Sequence, residues 1–230
     1  MAGRHFLQIP GPTPVPDRLL RAMHRAMEDH RSSTFPALTR SILSRLPQVV
    51  HQTKGEAFVF PATGSAMWEA ALVNTVNPGG RLLAVRFGQF SHLFIQTARA
   101  LGYQVDVIEE PWGDVADPSR IEAALAADTA HEIQGVLLVH NETATGVTSD
   151  VAAVRAAIDR AKHPALLFVD GVSSIASLDF QFDAWGVDCA ITGTQKGFML
   201  PAGLGILYMS EKALACVDGC TMPRAYFDVR

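Results

Sequence analysis

Three kinds of residue are scarce in this chain of 230 residues, and each scarcity removes a class of protein. Cysteine occurs three times, at Cys189, Cys216 and Cys220. An odd count with no secretory leader ahead of it argues against a disulfide framework and for a reducing, cytoplasmic setting. Cys216 and Cys220 have helical spacing, but no second ligand pair accompanies them, and the eight histidines form no His-x-x-x-His pair, so no metal site is expected. Basic residues are too few and too scattered to grip nucleic acid or an anionic membrane: 19 Lys and Arg face 23 Asp and Glu, for a net charge of -4. Long apolar runs are missing too, and none approaches the ~20 residues of a membrane-spanning helix. What is left is a chain with 48% hydrophobic residues and a mean hydropathy of +0.15. That is enough for one large domain with a sizeable core and a small-molecule partner.

The opening "IPGPTPVP", Ile9 to Pro16, has four prolines and a glycine and reads as an extended arm over residues 1–16. A helix is expected from Asp17, typed as its cap, through "RLLRAMHRAM", and a second helical stretch after "DHRSSTFPAL". From about residue 56 the pattern changes. Short apolar runs ("AFVF", "RLLAV", "QVDVI", "GVLLVH", "ALLFVD", "CAITG" and "GLGILYM") alternate with amphipathic stretches such as "SAMWEAALVNTV", "SHLFIQTARAL", "PSRIEAALAAD" and "SDVAAVRAAIDRA". Continuously apolar strands separated by helices imply a three-layer α/β/α fold around a mostly parallel sheet. In such folds ligands sit at the carboxyl ends of the strands.

Several of those ends are polar. After the first run, "PATGSAMWEAAL" passes from a small turn straight into a helix, so the backbone N–H groups and the Thr63 and Ser65 hydroxyls make either a capped helix or an anion site. It lacks the Gly-Lys-Ser/Thr of a P-loop and the Gly-x-Gly-x-x-Gly of a dinucleotide fold. The run "ALLFVDG" ends in Asp170, which can cap a turn, hold a metal with Glu142 as its second acid, or pair with a cationic ring nitrogen. His140 reads as a satisfied rim histidine.

Lysine taken alone is scarce as well, with four in the chain. Lys54, Lys162 and Lys212 read as solvated. Lys196 alone follows an apolar strand, between Gly193 and Gly197, at the rim that already holds an anion site and an acid. A lysine desolvated in this way gives up its proton more readily and becomes a nucleophile toward carbonyls. Anion cradle, acid and lysine together are what pyridoxal 5'-phosphate requires. Phe90 is then a candidate to lie flat against the ring, or else a core phenylalanine, and Thr143 a candidate donor to the ring's phenolic oxygen.

The segments "PGPTPVP", "DHRSSTF", "ATGSAMWEAALVN", "HNETATGV", "HPALLFVDGVSS" and "GTQKGFMLPAGL" resemble, in order, the class V, fold-type I aminotransferases, and within them the serine-glyoxylate and alanine-glyoxylate group. The resemblance implies the large, cofactor-binding domain of that fold over residues 17–230, with the small C-terminal domain that carries the substrate-carboxylate arginine absent. Neither Arg224 nor Arg230 matches that arginine. It implies Lys196 as the lysine that condenses with the cofactor aldehyde and Asp170 as partner of the ring nitrogen. Thr143 falls near the ring oxygen, Thr63, Gly64, Ser65 and Ala66 with Gln195 hold the phosphate, and Phe90 stacks where relatives often have tryptophan. The arm at Gly11 and Pro12 approaches the substrate side, and a homodimer is expected. The implied reaction moves an amino group from serine, with aspartate or alanine as alternatives, to glyoxylate. A non-catalytic cofactor-binding domain is the reading from another class. Gln195, where cysteine desulfurases of the same fold usually have histidine, argues against desulfuration.

Overall fold

The computed structural model describes residues 7–230. In chain order its elements are α1 (Asp17–Met23), α2 (Phe35–Leu43), α3 (Leu46–Val49), β1 (Glu56–Ala62), α4 (Gly64–Thr75), β2 (Arg81–Arg86), α5 (Gln89–Ala100), β3 (Gln104–Glu109) and α6 (Pro118–Ala127). These are followed by β4 (Ile133–Val139), the short hairpin β5 (Asn141–Glu142) and β6 (Val147–Thr148), α7 (Val151–Arg160), β7 (Leu166–Asp170), β8 (Cys189–Gly193), β9 (Gly203–Met209) and α8 (Glu211–Val217). Each of the seven apolar runs is a strand of one sheet, in the order β1-β9-β8-β7-β4-β2-β3. β9 runs antiparallel to both its neighbours and the other pairs are parallel.

Continuous apolarity has its cause in burial on both faces. Every residue of β7 and β8, near the middle of the sheet, is buried. One face packs Val136, Leu138, Leu167 and Val169 against Ile121 and Leu125 of α6 and Val154 and Ile158 of α7. The other packs Leu82, Phe168, Ile191 and Leu207 against Met67, Trp68 and Leu72 of α4 and Phe94 and Ile95 of α5. α4 is enclosed nearly all round. The chain's last residues lie over it, tied by Asn74 Nδ2 donating to the Phe227 carbonyl at 2.6 Å. Arg224, with its side chain 4% exposed, spends its guanidinium on the Val217 and Cys220 carbonyls, both at 2.9 Å. It is a structural tie.

The N-terminal helices depart from expectation. α1 stops at Met23, short of "HRAM", and starts after Pro16, so Asp17 stands in the first turn and does not cap it. None of its residues is buried, and a helix without packing does not extend far in water. α2 begins at Phe35, inside the segment read as preceding it, because Pro36 suits a helix's first turn.

Candidate active site

The carboxyl ends of β1, β7 and β8 bring an acid, a helix start and the lysine to one rim. Asp170, the last residue of β7, is 3% exposed. Its Oδ1 accepts the Val172 amide at 2.8 Å and its Oδ2 the indole Nε1–H of Trp68 at 3.0 Å. Burial pushes the carboxyl up to about 6, with Glu142 adding to the rise and the two N–H donors and Lys196 opposing it. A buried acid in this state lacks a close cation, and among the described residues none stands within ion-pair distance of it.

Lys196 follows β8 and is half-buried. Burial lowers its amine's pKa, and the Asp170 charge raises it against that trend. The N-terminal arm straps it: Nζ donates to the Pro10 carbonyl at 2.8 Å, and Thr13 N–H donates to the Gln195 carbonyl at 3.0 Å. Gly11, at φ +148°, lies so close that a Cβ there would come within 2.6–2.9 Å of the last three atoms of the lysine. The arm that the resemblance puts on the substrate side thus lies against Lys196, with Gly11 as its point of closest approach.

The turn Thr63 to Ala66 opens α4. Thr63 caps it, Oγ1 accepting the Ala66 amide at 3.4 Å, while Thr63 and Ser65 remain exposed. Gly64 packs so tightly on the loop after β7 that a Cβ would come within 2.7 Å of Val172. That contact sets the helix start, with its outward N–H groups, beside the ends of β7 and β8. Gln195, next to the lysine, keeps its Oε1 buried without a hydrogen-bond partner.

Phe90 and Thr143 are linked by a residue the sequence reading assigned elsewhere. Glu142, fully buried, was the candidate second acid for a metal beside Asp170. Its carboxylate instead accepts from the Phe90 amide at 3.1 Å and the Ser91 amide at 3.0 Å, and so closes the N-terminus of α5. Gly88 makes room for it, since a Cβ would lie 2.2–2.7 Å from that carboxylate group. No cluster able to hold a metal occurs among the described residues. The clamp fixes the start of α5, where Phe90 packs half-buried against the cluster of Trp68 and Phe94, relative to the hairpin turn that contains Thr143. Among the described residues, none hydrogen-bonds the Thr143 side chain.

His140 is satisfied and neutral. It is 4% exposed, its Nδ1 lies 2.9 Å from Ser174 Oγ, and burial pushes it down to about 4. Lys212 is exposed, as read, and yet makes specific contacts. It donates to the Ala165 carbonyl at 3.0 Å and lies 3.6 Å from Asp188, because α8 packs it over the opposite end of the sheet. Trp68 went unread as a site residue: an aromatic on an apolar helix face looks like core, and only the approach of α4 to β7 turns its N–H to an acid.

The Aminotransferase class-V family model matches residues 5–222. The serine--glyoxylate aminotransferase of Methylorubrum extorquens is 56% identical over 231 residues, covering 98% of this chain and 58% of its own length. The L-aspartate--glyoxylate aminotransferase of Paracoccus denitrificans is 49% identical over 230 residues, covering 100% and 58%. Among solved structures, an alanine--glyoxylate aminotransferase from Nostoc sp. superposes with a TM-score of 0.90 at 30% identity, over 99% of this chain and 60% of that one. The chain thus spans a little under three fifths of these curated relatives. No helix among the described residues is long and apolar enough to cross a membrane.

Proposed function

The chain belongs to the class-V aminotransferases, and from that premise we propose that it is the cofactor-binding part of an enzyme that transfers an amino group from serine to glyoxylate, giving hydroxypyruvate and glycine. The observation that carries the reading is the pairing of a partly desolvated Lys196 with a buried, cation-less Asp170 at one rim. Pyridoxal 5'-phosphate fits what the residues leave unsatisfied. The acid lacks a cation, Gln195 Oε1 lacks a partner, and α4 opens with a helix start suited to an anion.

When bound, that cofactor supplies a cationic aromatic ring that accepts negative charge from the substrate carbon. The protein's part follows from its own groups. Thr63, Gly64, Ser65 and Ala66, with Gln195, would hold the phosphate. Asp170 would keep the ring nitrogen protonated, its charge sheltered from water and strong at short range. Phe90 would lie against the ring and Thr143 near its oxygen. Lys196 Nζ would hold the aldehyde and, once released, carry the proton taken from the substrate's α-carbon. The Pro10 to Thr13 arm would lie on the substrate side, and Lys196 would give up its bond to the Pro10 carbonyl for its reaction partner. A homodimer is part of the proposal.

Aspartate is the second reading for the donor, supported by the Paracoccus relative, whose match covers the whole chain. Borohydride reduction with added pyridoxal phosphate, then peptide mapping, tests the cofactor assignment, and an adduct on Lys196 is expected. A screen of serine, aspartate and alanine with glyoxylate tests the reaction. Absence of glycine with all three donors, in unreduced, cofactor-loaded protein from a preparation whose reduced sample carries the adduct, leaves the cofactor-binding reading and removes amino transfer.

A further inference from the structure

Asp170 is held by two N–H donors, one on each oxygen. The Val172 amide is supplied by the backbone turn that follows the strand. The Trp68 indole differs, for it reaches the acid from α4 across 102 positions of sequence. Trp68 is itself fixed: it is 3% exposed and stacks on Phe94 of α5, ring centroids 5.2 Å apart and planes 14° from parallel. Phe94 sits one helical turn after Phe90. The stack therefore runs from the proposed ring-stacking end of α5 to the acid.

We propose that Trp68 is a positioning residue of the amino-transfer site, its indole N–H holding the Asp170 carboxylate charged and in one orientation for a cationic ring nitrogen. The inference rests on the reading of Asp170 as that nitrogen's partner. A hydrogen bond to an acid's charged form favours that form. Glu142, from the hairpin, and Lys196, after β8, are the titratable groups that act on Asp170, in opposite directions. Trp68 and Val172 add the balance that keeps the carboxylate ionised near neutrality. Without the indole N–H, burial and Glu142 meet less opposition, and the acid takes up its proton at higher pH. A neutral acid no longer attracts a ring cation.

The test uses Trp68→Phe, which keeps a ring against Phe94 and removes the donor, and Phe94→Leu, which disturbs the same stack and keeps the donor. Two quantities are read: the carbon-13 titration of the Asp170 carboxyl in cofactor-free protein, and the affinity for pyridoxal 5'-phosphate from pH 5 to 9. Trp68→Phe is expected to move the Asp170 midpoint up by about one pH unit, the scale of one hydrogen bond to a charged group. The acid limb of cofactor affinity should move with it, and Phe94→Leu, which loosens the indole but keeps its N–H, should move both by clearly less. An unchanged midpoint in Trp68→Phe overturns the proposal, and so does an equal shift in Phe94→Leu, which would make ring packing the cause. Should Trp68→Phe fail to fold, benzothienylalanine at position 68 keeps the indole's shape without its N–H and carries the same expectation. If the unaltered protein binds no cofactor at any pH, the reading of the site fails, and the cofactor-free titration still decides the role of Trp68.

Discussion

Asp170 and Asp188 are buried to nearly the same degree, 3% and 4% exposed, at opposite ends of neighbouring strands. Asp188, just before β8, is fully provided for. The Leu167 amide donates to it at 2.8 Å and the Ser210 hydroxyl at 3.0 Å, with Arg155 and Lys212 each 3.6 Å away. Asp170 has two N–H donors and no such cation. The difference separates a carboxylate that ties the fold together from one held ready for something else. A buried charge left short of a partner marks a place where stability is given up for binding.

The largest expected effect is on chemistry. Lys196→Ala should lower turnover by roughly 10⁴-fold or more, as removal of a nucleophile that is also the base implies, and retained turnover in steady-state assays would take Lys196 out of the centre. Next is Asp188→Ala, which leaves the buried Leu167 amide without its acceptor, while Arg155 keeps Asp159 at 2.7 Å and Lys212 is exposed. It should cost about 1–3 kcal/mol in urea unfolding while the folded fraction keeps its cofactor affinity. Asp170→Asn should do the reverse, lowering turnover by roughly 10²–10³-fold in a protein that still folds. If the two aspartate variants behave alike, the comparison fails.

A smaller effect has a definite sign in pH. The folded-state pKa of Asp170 is raised to about 6 from the ordinary 3.8 of an aspartate, so the native state binds this proton more tightly than the unfolded chain. Its contribution is fully present below about pH 4 and lost as pH rises through about 6, a loss of about 3 kcal/mol in cofactor-free protein. His140, pushed down to about 4, acts the other way, costing stability as pH falls below its ordinary value near 6.5. Subtracting the Asp170→Asn curve from that of the unaltered protein isolates the acid, and a flat difference between pH 4 and 8 would contradict its desolvation. Smallest is Glu142→Gln, which keeps one acceptor for the α5 amides. A loss of about 1 kcal/mol is expected, with weakened cofactor binding as the check that the clamp positions Phe90.

The strands, the rim and the lysine were legible because each depends on local pattern: unbroken apolarity for a doubly covered strand, and a polar residue where it ends. Lys196 was singled out by elimination among four lysines, and the structure brings it to the rim that holds Asp170. Strand direction was not legible. Nothing in "GLGILYM" says that it runs against its neighbours, since an antiparallel strand buried on both faces carries the same apolar run. Glu142 and Trp68 were missed for a related reason. Their roles are set by which helix start and which strand end lie opposite them, and those are distances between segments 51 to 102 residues apart.

The antiparallel strand has a consequence for how the protein is made. β1, which leads into the Thr63 to Ala66 turn, pairs only with β9, Glu56 facing Met209. A ribosome therefore releases that turn early, yet the strand leading into it has no neighbour until β9, about 140 residues later, has emerged. During synthesis the turn waits on β9, so uptake of the proposed cofactor would report that β1 has joined the sheet.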